Sequence, residues 1–122
     1  MSDAKKPKPR KPMKLRDDFM AELEPLGFVY EYKFHPTRGW LFDAAHPELC
    51  IALEYNGIMG GKTGHSSIPG LLRDAEKFTE AAILGWIVII ATAPTVRSGQ
   101  AREWVERAIA ARGGASESTT IQ

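Results

Sequence analysis

The stretch Trp40-Leu41-Phe42-Asp43-Ala44-Ala45-His46-Pro47-Glu48-Leu49-Cys50-Ile51-Ala52-Leu53-Glu54-Tyr55-Asn56-Gly57 decides how this chain folds. It reads as two short strands joined by a tight turn at His46-Pro47-Glu48-Leu49, because proline presets φ and cannot continue a ladder. Each strand carries one carboxylate among apolar residues, Asp43 and Glu54. A strand that only packed a core would hold Val or Ile there. A buried lone carboxylate costs several kcal/mol unless a cation answers it. Antiparallel pairing brings Asp43 and Glu54 together on one face, and two converging carboxylates offer the hard oxygen ligands that suit Mg²⁺ or Mn²⁺.

Around this centre the periodicity changes from element to element. Leu15, Phe19, Leu23 and Leu26 recur at helical steps, so 15–26 is expected to be a helix, with Asp17 and Asp18 in its first turn and Gly27 as its stop. Phe28, Tyr30, Tyr32 and Phe34 alternate with Val29, Glu31 and Lys33, which predicts a strand with its aromatics on one side. The spacing then suits a three-stranded antiparallel meander. Residues 57–70 hold five glycines with Lys62, Thr63, His65, Ser66 and Ser67, a loop composition suited to reaching ligands. Gly60-Gly61-Lys62-Thr63 imitates only the end of a phosphate-binding loop. A helix is expected over 71–84, burying Leu72, Ala75, Phe78, Thr79, Ala82 and Ile83, with Gly85 as its stop. Trp86 to Ala91 is a near-continuous apolar strand of the kind covered on both faces, and Gln100 to Arg112 a final amphipathic helix burying Trp104, Val105, Ala108 and Ile109. The expected order is α-β-β-β-α-β-α, a mixed α/β (α+β) domain.

The 122 residues suit one domain with a single core. The longest apolar run, 81–93, is interrupted by Gly85 and too short to span a bilayer, and no secretory signal is visible, so a cytoplasmic location is the default. One cysteine excludes an internal disulfide framework, and Cys50 reads as a buried small hydrophobe. The overall charge of +1 hides an asymmetry. Residues 1–14 carry six basic side chains, Lys8, Arg10 and Lys11 among them, against Asp3, a net +5, while the rest carries ten basic and fourteen acidic, a net −4. The division expected is a basic, proline-rich disordered arm over 1–14, a folded domain over 15–112 and a polar disordered tail over 113–122. The arm either adds phosphate affinity or simply keeps the chain soluble.

The ordered set Arg38-Gly39-Trp40-Leu41-Phe42-Asp43-Ala44-Ala45-His46-Pro47, Ala52-Leu53-Glu54-Tyr55-Asn56-Gly57, Gly64-His65, Asp74-Ala75-Glu76-Lys77-Phe78 and Gly85-Trp86-Ile87-Val88 resembles the PD-(D/E)xK nuclease superfamily. Within it the likeness is to the small phage and bacterial Holliday-junction-resolvase-like, virus-type replication-repair nucleases. The resemblance implies a restriction-endonuclease-like αβββαβ core with a C-terminal helix, and metal-dependent hydrolysis of DNA phosphodiester bonds in recombination, repair or phage DNA processing. It implies Mg²⁺ or Mn²⁺ held by Asp43 and Glu54, with Glu31 as an extra acid for a second ion or a water. The family lysine stands two residues after the second acid, where this chain has Asn56. Lys77 on the following helix is the favoured replacement, because a helix fixes a side chain better than a glycine-rich loop does. The other candidate is Lys62, and the plain alternative for Lys77 is a surface ion pair with Asp74. His65 suits a water-orienting role, a phosphate contact or an ordinary loop position. Arg38 is placed for a phosphate contact, while His35 and His46 sit in turns and Trp40 and Trp86 suit a core.

No sequence-reading module is present, so recognition by DNA shape, in branched or four-way-junction DNA, is expected over recognition by base sequence. Symmetric cutting of a junction implies a C2 homodimer. The competing readings are a non-catalytic nucleic-acid-binding module on the same fold, and a mismatch or restriction-type nuclease.

Overall fold

The computed structural model describes residues 12–57 and 68–113. Helix α1 (Pro12–Leu23) runs into a 3-10 turn (Glu24–Leu26), followed by strands β1 (Val29–Lys33), β2 (Leu41–His46) and β3 (Ile51–Tyr55). Helix α2 (Ile68–Ile83), strand β4 (Ile87–Ala91) and helices α3 (Ala93–Ser98) and α4 (Gln100–Ala111) complete the order. The sheet is mixed, in the order β1-β2-β3-β4. The first three strands form the expected antiparallel meander, and β4 joins β3 in parallel. A parallel neighbour needs a long crossover, and α2 supplies it. No described helix is long and apolar enough to cross a membrane.

The sheet separates two apolar clusters. On one face Phe19, Met20 and Leu23 of α1 and Ala101, Val105, Ala108 and Ile109 of α4 close over Ile51, Leu53, Ile89 and Ala91. On the other, Ala81 of α2 packs with Phe42, Ala45 and Ala52, flanked by Tyr32, Phe34, Trp86 and Val88. Phe34 stacks on Phe42 with ring centroids 4.0 Å apart. Gly27 holds the left-handed conformation that ends the 3-10 turn, with φ 107°.

Several expectations are corrected. Helix α1 starts at Pro12, so Asp17 and Asp18 lie beyond its first turn. The aromatics of β1 do not share a side: the Tyr30 hydroxyl donates to the Met20 carbonyl under α1, whereas Tyr32 packs with the α2-side cluster. The cause is a kink at Glu31, whose φ is +53°. Opposite it, β2 makes the same change of face at Asp43, since Phe42 packs on the α2 side and Ala44 on the α1 side. Neither Glu31 nor Asp43 is a ladder partner in the β1–β2 register.

The buried face of α2 is also rotated from expectation. Leu72 is 66% and Ile83 71% exposed, and Ala75, Thr79 and Ala82 are exposed as well, while Gly70 and Ala81 are buried and Phe78 half-buried. Trp40, Trp86 and Trp104 are half-buried. Cys50 is half-buried too, at the end of the turn with φ +55°, and its thiol points to the Pro47 carbonyl. Strand β4 is last in the strand order among the described residues; Ile87, Ile89 and Ala91 pack on the α1/α4 side and Val88 on the α2 side, as expected for a strand covered on both faces, while Ile90 is exposed. Helix α3 was not expected. Thr92 caps it reciprocally with Thr95, and Pro94 sits in its first turn, where a missing N–H costs nothing.

Candidate functional site

The β2–β3 ladder pairs His46 with Ile51, Ala45 with Ala52 and Ala44 with Leu53. One step further, the same register sets Asp43 opposite Glu54, and there the strands part. Side chains take over from the ladder. The Asp43 backbone N–H donates to Glu54 Oε2 at 3.1 Å, and the Tyr55 N–H donates to Asp43 Oδ2 at 2.7 Å. Each carboxylate therefore anchors on the opposite strand's backbone, Asp43 beside Arg16 of α1 and Glu54 beside Lys77 of α2. Charge-assisted bonds of this kind are about twice as strong as neutral ones.

A cation stands at each carboxylate. Lys77, on the inward face of α2, donates from Nζ to Glu54 Oε2 at 3.1 Å and to the Leu41 carbonyl at 2.7 Å. The pair is well shielded, with Lys77 14% and Glu54 17% exposed. Lys77 thus reaches the strand acid across the α2–sheet interface. Arg16 of α1 approaches Asp43 Oδ1 to 3.6 Å with one guanidinium nitrogen and Asp17 to 3.1 Å with the other. Arg16 was absent from the sequence-based site, because its nearness to Asp43 depends on how α1 docks.

Burial pushes the Glu54 carboxyl above the ordinary carboxylate value, Lys77 pulls it back, and the Asp43 charge adds to the upward push. A raised carboxyl beside a second carboxylate is the electrostatic mark of a functional site as well as of a strained ion pair.

The other candidates divide clearly. Glu31 and Asp43 line one cavity of about 250 Å³ with Arg16, Asp17, Met20 and Tyr30. Glu31 does not complete a ligand set there: among the described residues no group of three His, Cys, Asp or Glu side chains is close enough together to hold a metal ion. Arg38 is held in an ion pair with Glu76 at 2.6 Å and lies 4.0 Å over the Trp40 ring. The Glu76 carboxyl is drawn below its ordinary value by that hydrogen bond. His35 is structural: its Nδ1 accepts from the Thr37 and Arg38 N–H groups, which leaves Nε2 to face Glu80 at 3.1 Å. His46 accepts from the Leu49 N–H and so builds the β2–β3 turn. Lys62, His65, Lys8, Arg10 and Lys11 lie outside the described residues.

No family model matches the chain, and no curated protein or solved structure matches it.

Proposed function

We propose that this protein is a metal-dependent DNA endonuclease with a restriction-endonuclease-like core, and that Asp43, Glu54 and Lys77 form its site. The observation that carries the reading is the Lys77 ammonium 3.1 Å from Glu54 Oε2. It offers a cation at the second acid although the strand position two residues on is the neutral Asn56.

The donor chemistry fits a hard divalent ion. Asp43 and Glu54 each spend one oxygen on a backbone N–H, which orients the rest of the carboxylate without discharging it. Two carboxylates with water completing the shell is how Mg²⁺ is commonly held. When bound, such an ion lowers the pKa of a coordinated water and polarises a phosphoryl oxygen. Lys77, gripped by the Leu41 carbonyl and Glu54, sets positive charge where the pentavalent phosphorus gathers negative charge. Arg16, held between Asp17 and Asp43, is proposed as a phosphate contact beside the first acid. Glu31, which lines the same cavity as Asp43, is proposed to act through water. Branched or four-way-junction DNA is the substrate class proposed, on family likeness.

The test is a cleavage assay on a four-way junction, a flap, plain duplex and single-stranded DNA with Mg²⁺ and Mn²⁺. Wild type is expected to cut, Asp43→Asn to lose about 10³-fold and Lys77→Ala about 10²-fold. Each variant is checked for its fold by circular dichroism. Binding without cleavage by wild type, or cleavage by Asp43→Asn at the wild-type rate, overturns the proposal. The first of these outcomes would put a non-catalytic binding module in its place.

A further inference from the structure

Strand β4 reads Ile87-Val88-Ile89-Ile90-Ala91 and has one strand neighbour among the described residues, β3. The Ile87 N–H donates to the Cys50 carbonyl at 2.9 Å, and the Ala91 carbonyl accepts from the Asn56 N–H at 2.7 Å. Residues 87, 89 and 91 therefore turn their backbone groups toward β3. In a parallel ladder the alternate residues face the other way. Val88 and Ile90 thus direct two N–H and two C=O groups to the open edge. Edge strands are ordinarily blunted by charge, proline or a bulge, and this one has none of the three. A groove of about 650 Å³ runs beside it, lined by Ile87 to Ile90 with Trp104, Arg107, Ala108 and Ala111 of α4.

We infer that this edge pairs with β4 of a second copy, in antiparallel fashion about Ile89, to make one continuous eight-stranded sheet. Three observations select that occupant. The register is self-complementary: centred on Ile89, Val88 meets the partner's Ile90 and Ile90 the partner's Val88, so all four outward groups exchange hydrogen bonds. Ile89 then falls at a non-hydrogen-bonded pair, as the antiparallel alternation requires. The edge and its groove carry no acidic side chain and one basic one, Arg107, so little charge opposes the approach of an identical face. The terminal segments outside the described residues are unsuited by sequence. Residues 1–11 contain Pro7, Pro9 and five basic side chains, and residues 114–122 contain a single large apolar residue, Ile121.

A two-fold axis normal to the sheet keeps both copies of α2 on one face. Three strand spacings and a two-residue stagger put the two Glu54 Cα atoms roughly 16 Å apart. The dimer follows from the edge alone, whereas its use in cutting two DNA strands rests on the nuclease reading.

Sedimentation equilibrium of the full chain is expected to give twice the 13.5 kDa chain mass. Ile90→Lys is expected to weaken the dimer by at least about tenfold with its circular dichroism unchanged. Ile89→Cys in a Cys50→Ser background is expected to form a covalent dimer on oxidation, since the paired Cα atoms would lie about 4.5 Å apart. Val29→Cys, on the opposite edge of the sheet, is expected not to. A monomeric wild type overturns the inference, and so does a dimer that neither variant affects. A monomer whose Val88 and Ile90 amides resist hydrogen exchange overturns it too, and assigns the edge to another part of the same chain. None of these readouts depends on cleavage, so a failed dimer and a failed nuclease are distinguishable.

Discussion

Glu54 is the residue at which stability and the proposed chemistry oppose each other. Its carboxyl is pushed above the ordinary value of 4.5 by burial and, more weakly, by Asp43, against the pull of Lys77. In the window between that ordinary value and the raised one, the folded chain binds more protons than the unfolded chain. Stability contributed at this residue is therefore present at low pH and is lost as pH rises through the window. Replacing Glu54 by Gln removes the titration. Relative to wild type, Glu54→Gln is expected to gain stability as pH rises through that window and to keep the gain above it, read from thermal melting as a function of pH. A gap that stays flat or narrows with rising pH would mean that Lys77 fully compensates the buried charge. A divalent ion added to wild type acts in the same direction, because it neutralises the pair that burial penalises. Melting of Glu54→Gln should then be insensitive to Mg²⁺, while wild type should gain.

At the scale of elements, the meander is legible in the sequence because its turn chemistry and its two acids agree. The junction of the 3-10 turn with β1 shows how little slack the fold allows. Gly27 has φ 107°, and a Cβ built there would lie 2.6 Å from His46 Nε2. His46 cannot simply swing away, since its Nδ1 accepts the Leu49 N–H that closes the β2–β3 turn. Gly27→Ala is expected to cost about 1–3 kcal/mol in urea unfolding and to loosen the turn behind Asp43. A loss below about 0.5 kcal/mol would show that the helix-to-strand junction relaxes freely. What the sequence hid at this scale has a common cause. The inward face of α2 carries Lys77 and the half-buried Asp74, so apolar periodicity pointed to the opposite stripe, Leu72, Ala75, Thr79 and Ile83. The kink at Glu31 is likewise unannounced, because a glycine is the usual signal of a positive φ and none stands there. Both misreadings fall where the candidate site overrides the local pattern. Asp43 and Glu54 were legible because an ionisable group in an apolar stretch stands out, whereas Lys77, in the charged run Arg73-Asp74-Ala75-Glu76-Lys77, was pointed to by the family resemblance alone. Arg16 was not legible, since nothing local distinguishes it from any helix-surface arginine.

For the whole molecule, charge distribution sets how a nucleic acid would be held. The net −4 of residues 15–122 repels a polyanion, and the net +5 of residues 1–14 attracts one. The described cations near the candidate site are already engaged: Lys77 with Glu54, Arg16 with Asp43 and Arg38 with Glu76. Affinity must then come largely from the N-terminal residues and from ions held between the acids. Each phosphate neutralised contributes a slope of about −0.9 in log affinity against log salt. Removing residues 1–11 deletes five basic side chains and Asp3. The truncated chain is expected to bind duplex or junction DNA more weakly at low salt and to show a slope shallower by about 3 to 4, measured by fluorescence anisotropy from low to moderate salt. Its circular dichroism and melting should match the full chain, because the elements of the domain begin at Pro12. In a two-fold dimer joined through β4, two such basic segments would act on one DNA, so the loss per dimer should approach twice the loss per chain. An unchanged slope would assign the phosphate contacts to the domain itself, with Arg16 and Arg38 released from their carboxylates as the first side chains to test.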